Sequence, residues 1–293
     1  MLFILQQTIE DLLLFRWVIR VYIHVPEQRN SMTAFKNVLF VPHGAPTFAL
    51  EPGAAGAAMS EVVTRLAAPR AIVVVSPHWD TRIPTVSSAT QLETIHDFYG
   101  FPAPLYDIQY PATGCPEVAE EVRAALQLAG FEVADSQHGL DHGAWQPLRQ
   151  MFPDADVPIV PLSMQMHGGP AHAYRMGQAL APLADQNIWV VASGNLTHNL
   201  RDWQTATAMG GQTPAYVPRF TDWLQEQLSA HNVDALMNYR RLNADGAQAH
   251  PSEDHLLPLF VALGAAGADA TPQAFYRGIN NYVISMDGYA FVH

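Results

Sequence analysis

The 293-residue chain contains one cysteine, Cys115, and one lysine, Lys36, and only 14% of its residues are charged. A single thiol rules out an intramolecular disulfide framework and a thiolate cluster, so any bound metal must be held by nitrogen and oxygen ligands. A reducing cytoplasm suits such a chain. The net charge is −12 and the arginines are scattered, so no basic stripe is available to neutralise phosphates, which argues against a nucleic-acid partner. Long apolar runs are missing as well. Met1 to Val25 is rich in leucine, isoleucine and phenylalanine, but Glu10, Asp11, Arg16 and Arg20 interrupt it. That pattern does not suit a membrane span, and the segment lacks the basic start and small-residue cleavage site of a secretory signal. An amphipathic helix is open to it, with Leu5, Ile9, Leu12, Phe15 and Ile19 on one face. Residues 1–33 are expected to form an extension outside the fold, with Met32 as an alternative start just before the first strand; 34–293 is expected to be one domain.

Hydrophobic residues make up 49% of the chain, enough for an extensive core. Asn37 to Val41, Ala71 to Ser76, Ile159 to Ser163 and Ile188 to Ala192 are short, apolar and largely β-branched, as buried strands are. Ala57 to Leu66, Glu117 to Leu128 and His172 to Leu183 carry apolar residues at helical spacing. This alternation predicts an α/β fold, a single domain with a central, mostly parallel or mixed sheet flanked by helices. The end of the chain predicts a C-terminal antiparallel hairpin, Asn281 to Met286 turning at Asp287-Gly288 into Tyr289 to Val292. For Cys115 a nucleophilic role competes with a structural one; its Thr-Gly-Cys-Pro-Glu context suits a helix start at Pro116, and the structural reading is favoured.

Of the 13 histidines, four sit in short segments of unlike sequence, Val41-Pro42-His43-Gly44, Ser76-Pro77-His78-Trp79, Asn195-Leu196-Thr197-His198 and Glu253-Asp254-His255-Leu256. The first three segments follow predicted strands. Neutral imidazole is a common ligand of divalent metals, and α/β proteins bind ligands in the crevice beyond the carboxyl ends of their strands. One such histidine alone is best read as a satisfied structural side chain; several at successive strand ends point to a site. Trp79 is expected to wall His78 with apolar surface. His198 is open to either a ligand or a catalytic role. His255 is expected in the first turn of a helix capped by Ser252, with Glu253 and Asp254 available to orient it. His142, in His138-Gly139-Leu140-Asp141-His142-Gly143-Ala144-Trp145, reads as a loop histidine in a pocket. His24, His96, His138, His167, His172, His231 and His293 read as surface or loop residues, and His250 is left unassigned.

Phe40-Val41-Pro42-His43-Gly44-Ala45-Pro46, Val75-Ser76-Pro77-His78-Trp79, Thr94-Ile95-His96-Asp97-Phe98-Tyr99-Gly100-Phe101-Pro102, Asp141-His142-Gly143-Ala144-Trp145, Ala192-Ser193-Gly194-Asn195-Leu196-Thr197-His198-Asn199-Leu200 and His250-Pro251-Ser252-Glu253-Asp254-His255-Leu256-Leu257-Pro258-Leu259 together resemble the 4,5-DOPA extradiol dioxygenase family, relatives of the class III extradiol ring-cleavage dioxygenases. The resemblance runs from about Asn37 to Val292, and the first thirty residues have no counterpart in it. It implies that 34–293 is an extradiol dioxygenase-like catalytic domain, in which His43, His78 and His255 hold one divalent metal ion, Fe(II) or Zn(II). His198 stands beside them as acid/base or fourth ligand, and His142 touches substrate. Relatives that open protocatechuate carry a carboxylate where this chain has His255, so the ligand set here is all imidazole and leaves one more unit of positive charge on the metal.

The activity implied is insertion of O2 into a catechol-type, DOPA-like ring beside the diol, giving a muconic semialdehyde. Fe(II) is required for that reaction, since zinc is redox-inert. Phe98, Tyr99 and Phe101 would wall the ring, although a loop packing its own aromatics fits them equally well. The partners implied are a small aromatic diol and O2, with no membrane. Two other readings use the same histidines: a zinc-dependent hydrolase, and a non-catalytic metal- or partner-binding protein.

Overall fold

The computed structural model describes residues 35–293. The predicted N-terminal extension, its apolar face and His24 lie outside the described residues. The described residues form ten strands: β1 Phe35–Pro42, β2 Ala71–Asp80, β3 Thr85–Ser87, β4 Ala134–Ser136, β5 Ile159–Met164, β6 Ile188–Gly194, β7 Thr271–Tyr276, β8 Ile279–Asn280, β9 Ile284–Ser285 and β10 Gly288–Val292. The helices are α1 Gly53–Val63, α2 Pro116–Leu128, α3 His142–Met151, α4 Gly169–Ala184, α5 Leu200–Ala208, α6 Tyr216–Ser229, the short α7 Val233–Met237, α8 Tyr239–Leu242 and α9 Gly246–Ala249, and α10 Leu257–Ala266. Every strand and helix segment predicted before residue 193 overlaps an observed element, although the helix predicted to reach Leu66 ends at Val63. α2 begins at Pro116 with Cys115 as its N-cap residue. Proline suits that place because the first amide of a helix has no intrahelical partner.

Eight strands form one mixed sheet in the order β4-β3-β5-β2-β6-β1-β10-β7. Its centre is parallel: β1 and β2 both pair with β6, and β5 pairs with β2. These strands are apolar on both faces because helices cover both, and Val38 to Val41, Ala71 to Val75 and Ile188 to Ala192 are buried. Each such valine or isoleucine stabilises the fold by about 1.5–3 kcal/mol relative to exposure. Antiparallel strands close the flanks, β3 against β5 on one side, and β10 against β1 then β7 on the other.

A C-terminal antiparallel hairpin is present, and it lies upstream of the predicted turn. β8 and β9 pair around Asn281 and Tyr282, whose φ values of 47° and 66° are left-handed as tight hairpin connections demand. Asp287-Gly288 does not reverse the chain. The Asp287 carboxylate accepts from Gly278 N and Arg277 Nε, and the chain passes into β10, which gains two strand neighbours instead of one.

α10 is apolar on every side and buried along its whole length. It packs on α4 so closely that a Cβ on Gly177 would stand 2.1 Å from the Val261 carbonyl oxygen, and one on Gly264 would stand 2.1 Å from that of Tyr174. The two helices meet backbone to backbone there, and α10 in turn lies against β6 and β1. Because α10 directly follows His255, this contact fixes the height of that histidine over the sheet. Gly264→Val or Gly177→Leu is therefore expected to force the helices apart, destabilising the protein by ~1–3 kcal/mol or more, seen as a lower Tm in thermal unfolding followed by circular dichroism.

Candidate functional site

The parallel register carries β1, β6 and β2 to one edge, where Pro42 pairs with Gly194 and Val75 with Ala192. His43 follows β1 directly and is fully buried. β2 continues past this edge with a break in its ladder: between the Val75–Leu162 and Asp80–Met164 pairs, β2 advances five residues and β5 only two. Pro77, which has no amide to donate, lies in this bulge. His78 turns into the crevice there. Trp79 points to the opposite face and stacks on His138 with centroids 4.2 Å apart, so the expected apolar wall beside His78 is not built by Trp79.

His198 comes from the loop after β6. That loop is tied to the segment bearing His255 by Asn195 N to His255 O at 2.8 Å, His250 Nε2 to Leu196 O at 2.9 Å, His198 N to Ala249 O at 3.0 Å and Asn199 Nδ2 to Gln248 O at 2.7 Å. His250, which the sequence leaves unassigned, is thus a fully buried fastener between the two loops. His255 sits in a turn one residue outside the cap of α10, and not in the first turn of the helix. Leu256 is the N-cap residue, Pro258 occupies the opening turn, and the Ser252 hydroxyl donates to Asp254 at 2.6 Å and caps no amide. His142 is the first residue of α3, whose N-cap Asp141 accepts from Ala144 N at 3.1 Å. A Cβ on Gly143 would stand 2.4 Å from Ser76 Oγ and 2.8 Å from a ring carbon of His78, so only glycine lets α3 approach β2 this closely.

These elements bring all five predicted histidines together. The ring centroids of His43, His78 and His255 form a nearly equilateral triangle with sides of 5.1, 5.2 and 5.1 Å. His198 stacks flat on His255, with centroids 3.5 Å apart and planes 5° from parallel, and His142 lies 4.0 Å from His78. One nitrogen each of His43, His78 and His142 also lie within 4.8 Å of one another, so His142 is a second candidate for the third position. By ring centroids His255 completes the triangle, and by nitrogen separation His142 does.

Hydrogen bonds decide which nitrogens face inward. The Ser193 hydroxyl gives its proton to the Gly143 carbonyl and therefore accepts from His43 Nδ1 at 2.9 Å, leaving the lone pair on His43 Nε2. Asp254 Oδ2 accepts from His255 Nδ1 at 2.7 Å, and Asp97 Oδ1 from His142 Nδ1 at 2.9 Å. His43 Nε2 and His78 Nε2 stand 3.3 Å apart. Two ligands at about 2.1 Å from a tetrahedral ion would be about 3.4 Å apart, so this donor set fits a divalent cation.

Burial keeps the imidazoles neutral. Desolvation, then the neighbouring His142, pushes His78 down to about 3. Desolvation also lowers His198 to about 4, against the opposing pull of Asp254. His43 and His255 are depressed well below the ordinary histidine range, first by burial and then by His78 and His198 respectively. Neutral rings are what metal coordination requires.

The site opens into a cavity of about 770 Å³ lined by His78, His142, His198 and His255 together with Phe98, Phe101, Trp203, Ile284, Asn199 and Arg201. Phe98 and Phe101 wall this space and also pack on each other, at 5.6 Å between centroids, so the two expectations for these aromatics hold together. Tyr99 is 90% exposed and points away. His96 bonds the Ile108 carbonyl and His172 bonds Gln165, consistent with loop and surface roles. Sequence reasoning missed Asp97, Ser193 and the Ser76–Asp141 pair beneath His78. Asp97 carried a signal of a kind, since it stands in the aromatic segment that supplied the cavity wall. Ser193 lies 150 positions from His43 and carried none.

Residues 40–292 match the family model described as the catalytic LigB subunit of aromatic ring-opening dioxygenase. A Beta vulgaris protein named 4,5-DOPA dioxygenase extradiol is 35% identical over 269 residues, covering 89% of this chain and 98% of its own length. An Escherichia coli (strain K12) protein of the same name is 38% identical over 231 residues, covering 78% of this chain and 84% of its own. The crystal structure of an uncharacterized protein from Escherichia coli K12 aligns with a TM-score of 0.71 at 31% identity, covering 86% of this chain and 98% of that one. Among the described residues no helix is long and apolar enough to cross a membrane. With a ring of neutral imidazoles at the parallel strand ends and a match that spans nearly all of the described chain, this protein belongs to the LigB family of aromatic ring-opening dioxygenases.

Proposed function

We propose that the chain is an extradiol dioxygenase that inserts O2 into a catechol-type, DOPA-like ring and releases a muconic semialdehyde, with His43, His78 and His255 holding one divalent metal ion. The observation that carries this reading is the triangle of neutral imidazoles beside an aromatic-walled cavity, with two further histidines at its edge. A ferrous ion held there would supply the redox chemistry that joins catechol and dioxygen, whereas zinc at the same nitrogens supports hydrolysis only.

The roles of the surrounding residues follow from what each can accept or donate. Phe98 and Phe101 seat the flat ring and exclude water from it. His198 is neutral, and its ring makes no hydrogen bond among the described residues; it takes a proton from a catechol hydroxyl and returns it as the ring opens. His142 keeps its Nδ1 proton on Asp97, so its Nε2 is the atom that meets the developing charge on the substrate oxygen.

The direct test is anaerobic reconstitution of the full chain with Fe(II), followed by a panel of catechols that includes DOPA and protocatechuate. Oxygen uptake with a yellow ring-opened product is expected. An iron-loaded protein inert toward the whole panel, yet cleaving esters when loaded with zinc, would replace this reading with the hydrolase.

Single substitutions divide the histidines. His255→Ala is expected to abolish stoichiometric metal binding measured by elemental analysis. His198→Ala and His142→Ala are expected to keep the metal, and His198→Ala to lower kcat by about 10²- to 10⁴-fold. Metal loss in His142→Ala with retention in His255→Ala would reverse the assignment.

The neutral rings also set a pH dependence. His78, His198 and His250 sit at about 3, about 4 and about 4 in the folded protein, below the ordinary value of 6.5. Between those limits the unfolded chain binds protons that the folded chain refuses, so stability falls as pH falls. The Tm of the metal-free protein is expected to be level above about pH 7 and to drop steadily from there to about pH 4.

A further inference from the structure

An all-imidazole ligand set contributes no negative charge, yet two carboxylates stand directly behind it. Asp254 Oδ2 accepts from His255 Nδ1 at 2.7 Å, and the Ser252 hydroxyl holds the other carboxylate oxygen at 2.6 Å. Asp97 Oδ1 takes both the backbone amide and Nδ1 of His142 at 2.9 Å, while its Oδ2 lies 3.6 Å from His78 Nδ1. Each carboxylate therefore reaches a metal-facing ring through the nitrogen on its far side. A third acid that lines the cavity, Asp202, is bonded by Gln248 at 3.0 Å and bonds no histidine among the described residues.

Resting on the metal reading above, we infer that Asp254 and Asp97 supply from behind the rings the negative charge that the ligands themselves lack, and so set how tightly the site holds a dication. A carboxylate accepting from Nδ1–H makes the opposite nitrogen a stronger donor and offsets charge on the ion. Asp254 acts through a short bond to one ligand. Asp97 is divided between His78, at longer range, and His142, so its share is smaller.

The measurement is the affinity of the metal-stripped full chain for Zn(II) and Co(II), by competition with a chromophoric chelator and without any substrate. Asp254→Asn keeps an acceptor oxygen of the same shape and removes only the charge. It is expected to weaken binding by about 10- to 100-fold, Asp97→Asn by less, and the double variant by more than either, with Asp202→Asn near wild type. The visible absorption bands of the Co(II) form should keep their positions in all of them, since the ligands are unchanged. Wild-type affinity in the double variant would overturn the inference. So would a loss confined to Asp254→Ala with Asp254→Asn intact, because position and not charge would then be what matters. A wild-type protein that binds neither ion would fail the metal reading itself, a different result from either.

Discussion

A buried imidazole has two nitrogens, and whatever engages one of them determines what the other can do. In this protein a serine hydroxyl or a carboxylate occupies Nδ1 of His43, His142 and His255, which leaves Nε2 as their inward atom. The whole site depends on that constraint. Without Ser193, Asp97 and Asp254, the rings of His78, His142 and His255, each centred within about 6 Å of His43, would share donors and acceptors in many arrangements, and no single set of lone pairs would converge. The cost of the arrangement is the desolvation of several titratable groups in one place, which is offset by the surrounding apolar core.

The fold serves this constraint by bringing distant residues together on rigid elements. β1 and β6 deliver His43 and Ser193 in register, the bulge in β2 turns His78 toward them, α3 delivers His142 with Gly143 pressed against β2, and α10 holds His255 through its backbone contact with α4. His198 and His255 come from loops, and those two loops are laced to each other by four hydrogen bonds between residues 195–199 and 248–255. The aromatic part of the cavity wall, Phe98 and Phe101, comes from the segment 94–102, which lies outside the central strands of the sheet.

Much of this was legible in the residues. Buried parallel strands announce themselves as short β-branched runs, and the histidines that follow them can be placed at one crevice by topology alone, without any contact being known. The five histidines were found in that way and through the six ordered motifs. What escaped was whatever depends on contacts between distant residues. Ser193 behind His43 and Asp97 behind His142 are joined across 150 and 45 positions, and nothing local marks a serine or an aspartate as the partner of one histidine among thirteen. The hairpin was displaced because Asp287-Gly288 has the composition of a turn, whereas the strand after it is claimed by β1 and β7. Ser252 looked like a helix cap for the same kind of reason: its hydroxyl suits that role, but a carboxylate two residues away takes the bond.

The flat stack of His198 on His255 has a geometric consequence. One whole face of the His198 ring is covered at 3.5 Å, so anything entering the cavity meets that ring by its edge or across its single free face. The chamber is thereby handed. A planar guest with a substituent on one side can be turned over or rotated within it, but those placements are inequivalent, since part of the wall is an imidazole stack and another part is the phenyl rings of Phe98 and Phe101. Asymmetry of outcome is thus built into the chamber before any reaction begins.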